Sequence, residues 1–175
     1  MEPVKLFGIA DSIQTLAYQS WLKNNGIPHV CYDIGESEEN QFLLSKYYKS
    51  GRLRFPTLVV KNTKLRKPKE QDLIDVVIQE ATANLSNGKT LVTVNDKKYT
   101  ITKRKIDKNI VKICVHGFKD FGLLCFEVYM DANKKHIHVA DEYKKAVLGF
   151  LTSYQIETGI DGTMEKDVYE KKYSK

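Results

Sequence analysis

Cys114 and His116 stand two residues apart, and His136 and His138 repeat that spacing further along the chain. On extended strands such a spacing puts both side chains of a pair on one face of a sheet. Thiolate and imidazole are donors suited to zinc or copper. The apolar segment Leu123–Met130, however, reads as a strand lying between the two pairs. It holds their backbones about 9–10 Å apart. Polar-face residues are the better account, and no metal site or cofactor is expected. The third thiol, Cys31, is expected to be a small buried residue. Three cysteines at irregular spacing argue against a disulfide scaffold and lead us to expect a reducing, cytoplasmic setting.

The other groups able to do chemistry are cationic. Lys61, Lys64, Arg66, Lys67 and Lys69 read as one loop with no acid among them. A second cluster comprises Lys97, Lys98, Lys103, Arg104 and Lys105, followed by Lys108 and Lys112 and opposed only by Asp107. The net charge of +6 is uneven: residues 1–84 carry eleven Lys/Arg against ten Asp/Glu, and residues 85–175 seventeen against twelve. Such clusters attract phosphates or acidic proteins. With Tyr99 as a stacking platform, the second one supports a nucleic-acid-binding reading. It contains no recognisable nucleic-acid motif, and Glu157, Asp161, Glu165, Asp167 and Glu170 oppose its charge.

Elements must position these groups. Val4–Ile9 reads as a strand, followed by a helix over Ser12–Asn25, with Asp11 or Ser12 as cap and Ile13, Leu16, Ala17 and Trp21 as its apolar stripe. Gly26 suits the helix end. His29–Ile34 alternates as a second strand, and Glu38–Ser50 offers Phe42, Leu43 and Tyr47 from a second helix. Thr57–Val60 is a strand that begins just after Pro56, where a missing N–H is tolerated. A third helix, Gln71 to about Leu85, buries Leu73, Val76 and Val77.

Asn84–Lys89, with Asn87-Gly88, marks the clearest boundary, because the hydrophobic period changes there from 3.6 to 2. Thr90–Val94, Tyr99–Lys103, Ile110–His116, Leu123–Met130 and Lys135–Val139 predict a five-stranded antiparallel meander. Turns are expected at Asn95-Asp96, Ile106–Asn109, Gly117–Gly122 and Asp131–Lys134. A helix from Asp141 to Gln155, capped by Asp141, presents Tyr143, Val147, Phe150, Leu151 and Tyr154 to the sheet. Residues 158–163 break it, and the tail from Met164 suits a peripheral helix or a mobile end. The chain is therefore read as two domains, 1–86 and 87–175, the second a small α+β domain.

The element order of the first eighty or so residues resembles the glutaredoxin branch of the thioredoxin fold. The resemblance is sharpest at Phe55-Pro56-Thr57, which matches that family's cis-proline motif. It implies an α/β thioredoxin-like N-terminal domain and a groove at Ser12, Gln14, Thr15, Phe55 and Pro56. There the backbone N–H and C=O of Phe55 would pair with an extended peptide. Arg52 or Arg54 matches the family's basic residue ahead of the proline, a partner for a carboxylate. The family's C-x-x-C or C-x-x-S falls on Ser12-Ile13-Gln14-Thr15, which holds no thiol. Thiol–disulfide exchange at that place is impossible. The family's glutathione-binding lysine is replaced by Ile9, and its Gly-Gly pair is absent from Pro68–Asp72. Glutathione is therefore a poor ligand.

The composition suits a folded core, with 42% hydrophobic and 29% charged residues. Apolar runs such as Leu123–Phe126 are too short to span a bilayer, and no secretory signal is seen, so no membrane association is expected. The expected role is a redox-inactive, glutaredoxin-like module that binds a protein or peptide. One alternative is nucleic-acid binding through the basic hairpin. Another is a glutathione-dependent enzyme in which Ser12 or Thr15 replaces the thiol.

Overall fold

The computed structural model describes residues 1–116, 123–130 and 135–157. The turns expected at Gly117–Gly122 and Asp131–Lys134, the break at 158–163 and the tail lie outside these residues. The architecture is mixed α/β, with a four-stranded sheet, a six-stranded antiparallel sheet and four helices among the described residues.

In the first half, β1 (Val4–Gly8) pairs in parallel with β2 (His29–Asp33) and antiparallel with β3 (Thr57–Val60), which carries β4 (Thr63–Arg66) on its far side. The sheet order is β2-β1-β3-β4. Ser12 caps α1 (Ile13–Asn24) by accepting from the Thr15 N–H at 3.1 Å. Ser37 does the same for α2 (Glu38–Ser45) from Asn40 N–H. Each supplies an acceptor that the first helical turn lacks. Strand alternation sends Val4, Leu6, Leu58 and Val60 into one core and Phe7 and Val59 into a second, with Ile34 and Leu44.

Four sequence expectations fail here. Of the stripe expected on α1 only Trp21 packs against the core: Ile13 is 86% exposed, Leu16 and Ala17 are exposed, and Thr15 and Leu22 face inward. Phe42 lies outside, and α2 ends at Ser45 with Leu44 as its buried residue. The Lys61–Lys69 loop is instead largely the β3–β4 hairpin. Its turn uses a positive φ at Lys61, and Leu65 is the only apolar residue in β4 to signal a strand. Cys31 is exposed on β2, an edge strand among the described residues. Partial desolvation of its sulfur still pushes the thiol pKa above its usual range.

In the second half, β5 (Gly88–Val94), β6 (Lys97–Asp107), β7 (Ile110–His116), β8 (Leu123–Met130) and β9 (Lys135–His138) form the expected meander. Asn95 and Asp96 both adopt positive φ between β5 and β6, the backbone that a two-residue hairpin requires. The sheet nevertheless has six strands. The last described helix stops at Ser153, and β10 (Gln155–Ile156) joins β5 at the edge opposite β9. A two-residue strand leaves no periodic signal. The helix, α4 (Asp141–Ser153), is preceded by Ala140 at the cap position, so Asp141 lies in its first turn, and Tyr143 is half exposed.

The two sheets share one apolar core through α3 (Glu70–Thr82). Leu73, Ile74, Val77, Ile78 and Ala81 sit in the same cluster as Val4, Leu6 and Leu58 on one side and Val92, Ile101, Ile113, Val128 and Ile137 on the other. Helix α4 adds Val147, Leu148, Phe150 and Leu151. It approaches the end of α1 so closely that a Cβ on Gly149 would lie 3.3 Å from the Asn25 carbonyl oxygen. Polar ties cross the same boundary. The Tyr154 hydroxyl donates to the Ala81 carbonyl, and burial pushes its pKa up to about 12. Lys144 bonds Glu70 at 3.2 Å and, with the Trp21 indole, holds that carboxyl below its usual range.

Candidate functional site

The C-terminal end of β1, the start of α1 and the start of β3 converge. Phe7 pairs with Thr57 across the ladder, and Gly8 lies directly beneath Thr15. A Cβ on Gly8 would stand 2.3 Å from Thr15 Oγ1 and 2.8 Å from its Cγ2. Thr15 is 5% exposed, and its Oγ1 accepts from Ser12 Oγ at 2.7 Å. Both hydroxyls of the Ser12–Thr15 segment are thus engaged in starting the helix. Gly8→Ala is expected to lower stability by about 1–3 kcal/mol, since a packed core yields poorly to an added methyl. Urea denaturation would measure this, and adding Thr15→Ala should restore part of the loss.

Across from this helix start runs the segment Gly51–Pro56. The Phe55–Pro56 peptide is cis, the isomer implied by the family resemblance. Tyr48 anchors the segment: its hydroxyl meets Thr57 Oγ1 at 2.6 Å and donates to the Arg54 carbonyl at 3.2 Å. Thr57, fully buried, donates to the same carbonyl at 2.6 Å. Lys67 N–H donates to the Pro56 carbonyl at 3.2 Å, which ties the end of β4 to the proline. Asp33 holds the facing loop by accepting from Gly35 N–H at 2.9 Å and Ala10 N–H at 3.4 Å.

These anchors leave an open cleft of about 270 Å³ lined by Leu53, Arg54, Phe55, Arg66 and Lys67. Arg54, Arg66 and Lys67 make no ion pair among the described residues. Phe55 is 41% exposed, and its backbone N–H and C=O have no hydrogen-bond partner among the described residues. Of the residues read from the sequence, Arg54 and Phe55 line the cleft. Ser12, Gln14, Thr15, Arg52 and Pro56 do not. Arg66 and Lys67 were legible as part of a basic run, but reading that run as a loop hid the hairpin that brings them beside Phe55. Lys64 lies in the same hairpin and is occupied, bonding the Tyr47 carbonyl at 3.0 Å with its ammonium 4.1 Å from the Tyr48 ring centroid.

The basic cluster on β6 does not form one patch. Lys97 and Lys98 stand at one end of the strand and Lys103, Arg104 and Lys105 at the other, about 20 Å apart at 3.4 Å per residue. Lys98 pairs with Glu157 at 3.5 Å. Lys103 reaches inward and donates to the carbonyls of Leu85 at 3.2 Å and Thr82 at 3.5 Å. That places a cation at the C-terminal end of α3, where the helix dipole favours positive charge. Arg104 and Lys105 remain exposed.

Strand β8 separates β7 from β9, as the meander requires. Cys114 is paired with Cys125, His116 with Leu123, His136 with Tyr129 and His138 with Glu127. The Cys114–His116 and His136–His138 pairs are therefore not neighbours in the ladder. No group of three or more His, Cys, Asp or Glu able to hold a metal occurs among the described residues, nor is any of their helices long and apolar enough to cross a membrane. The chain length between the strands already implies the pairing of Cys114 with Cys125: six residues between His116 and Leu123 put 114 opposite 125. Comparisons with family models, with curated proteins and with solved structures found no match to this chain.

Proposed function

We propose that residues 1–86 are a thioredoxin-like scaffold of the glutaredoxin type, inactive in thiol exchange at α1, and that the protein binds an extended, acidic segment of a partner protein at the Phe55 cleft. The observation that carries this reading is the coincidence of three cations lacking carboxylate partners with an exposed aromatic ring and an unpartnered backbone N–H and C=O. An extended peptide adds strand-like bonds to such a backbone, and alternate side chains enter the flanking cleft. Carboxylates on those side chains gain charge-assisted bonds to Arg54 and Arg66. The strand order β2-β1-β3-β4, with β1 and β2 parallel and β3 antiparallel, supports the scaffold assignment. The enzyme alternative is less favoured, because the Ser12 hydroxyl donates to Thr15 Oγ1 and Thr15 itself is buried.

Fluorescence anisotropy with peptides alternating Glu or Asp with Phe tests the proposal. The double variant Arg66→Glu/Lys67→Glu is expected to weaken binding at least tenfold, the scale of losing one charge-assisted bond. Lys97→Glu/Lys98→Glu should leave it unchanged. Equal peptide affinity in both variants, with oligonucleotide binding lost on reversing Arg104 and Lys105, would move the function to β6.

A further inference from the structure

The hairpin of β7 and β8 sets two cysteine positions opposite each other in the ladder. Cys114 and Cys125 are direct partners in the antiparallel ladder, flanked by the pairs Ile113–Phe126 and Val115–Leu124. Directly opposed residues share a face of the sheet, with Cα atoms about 4.5–5.5 Å apart. That range lies inside the span of about 4.4–6.8 Å that a disulfide bridges without backbone movement. Ile113 and Val115 are buried against the helices. Cys114 alternates with them, so this register position belongs to the opposite face, and it is partly accessible. The remaining thiol, Cys31, lies on the edge of the other sheet.

We propose that Cys114 and Cys125 are a redox couple that closes to a β7–β8 disulfide under oxidising conditions and reopens under reducing ones. The oxidant is a low-molecular-weight disulfide of the glutathione class. One protein thiolate attacks its S–S bond, forms a mixed disulfide and releases one glutathione thiolate. The second protein thiolate then attacks the protein-side sulfur and releases the other glutathione. Two protein thiols are oxidised, one glutathione disulfide is reduced to two thiols, and the two protein protons end on those thiols. The thiol chemistry missing from α1 is thus placed in the six-stranded sheet.

The test uses the full chain equilibrated with glutathione and its disulfide at several ratios, quenched with acid, alkylated and digested with trypsin without reduction. Cleavage after Lys112, Lys119 and Lys134 separates Cys114 in peptide 113–119 from Cys125 in peptide 120–134. The expected product is those two peptides joined by one disulfide. The ratio of linked to unlinked should change tenfold for each tenfold change in glutathione disulfide over glutathione squared, independent of protein concentration, and Cys31→Ser should not alter it. Separate glutathione adducts on Cys114 and Cys125, or links formed through Cys31, would overturn the proposal.

Discussion

Truncating Phe150 to alanine is expected to lower stability by about 3–5 kcal/mol, the range for removing a buried aromatic side chain. For a chain of this size that corresponds to a fall in Tm of about 6–20 °C. Phe150 is 2% exposed and meets Tyr99 edge to face, with ring centroids 5.1 Å apart and planes at 88°. It joins α4 to β6 in the cluster that also holds Leu6 and Leu58 of the other sheet. Its loss should therefore be felt in both halves. The single tryptophan, Trp21, lies on α1 against this cluster and provides the check. Its fluorescence and the far-ultraviolet circular dichroism should report one coincident transition, shifted together by the substitution. A tryptophan transition left in place while the dichroism shifts would show two separate cores.

The second large effect is expected at Asp75, whose carboxylate is buried on α3. Its Oδ1 accepts from the Ile137 N–H at 3.0 Å and from Gln71 Nε2 at 2.8 Å, and Gln71 Nε2 also bonds the Ile137 carbonyl at 3.1 Å. Two side chains one helical turn apart thus serve the N–H and C=O on the free edge of β9. Asp75→Leu removes the acceptor and leaves a buried donor unpaired, at a cost of about 2–4 kcal/mol. Asp75→Asn retains an acceptor at Oδ1 and should lose less than half of that. An uncovered strand edge also invites pairing with another chain. Sedimentation should therefore show more self-association for the Leu variant, while equal stability of the Leu and Asn variants would refute the bond's importance.

The strands and helices with clear punctuation were legible in the chain. Ser12 announces α1, Asn95-Asp96 announces the first hairpin, and the switch of period after Asn84 divides the two sheets. The face of α1 was not legible, because Ile13 and Leu16 on one side and Thr15 and Leu22 on the other both satisfy helical spacing. Gly8 decides between them, by offering a surface into which Thr15 fits. Lys103 shows the same limit in the basic cluster. Its charge was visible in the sequence, but the carbonyls that engage it, at the end of α3 and just beyond, are eighteen and twenty-one residues away. For the candidate site, Arg54 and Phe55 were found by resemblance. Arg66 and Lys67 required the turn at Lys61, which only its backbone conformation reveals.

The shared core also sets an order of events during synthesis. Helix α3 is complete at Thr82, but the residues that cover it from β9 and α4 span Ile137–Tyr154. A ribosome adding about 5–20 residues per second leaves that apolar helix waiting roughly 3–14 s for its partners. The nascent first half must cross this interval with the side of α3 that β9 and α4 will cover still unprotected, so holdase chaperones have an opportunity here. A messenger truncated before Ile137 would release a chain whose adhesive surface never closes.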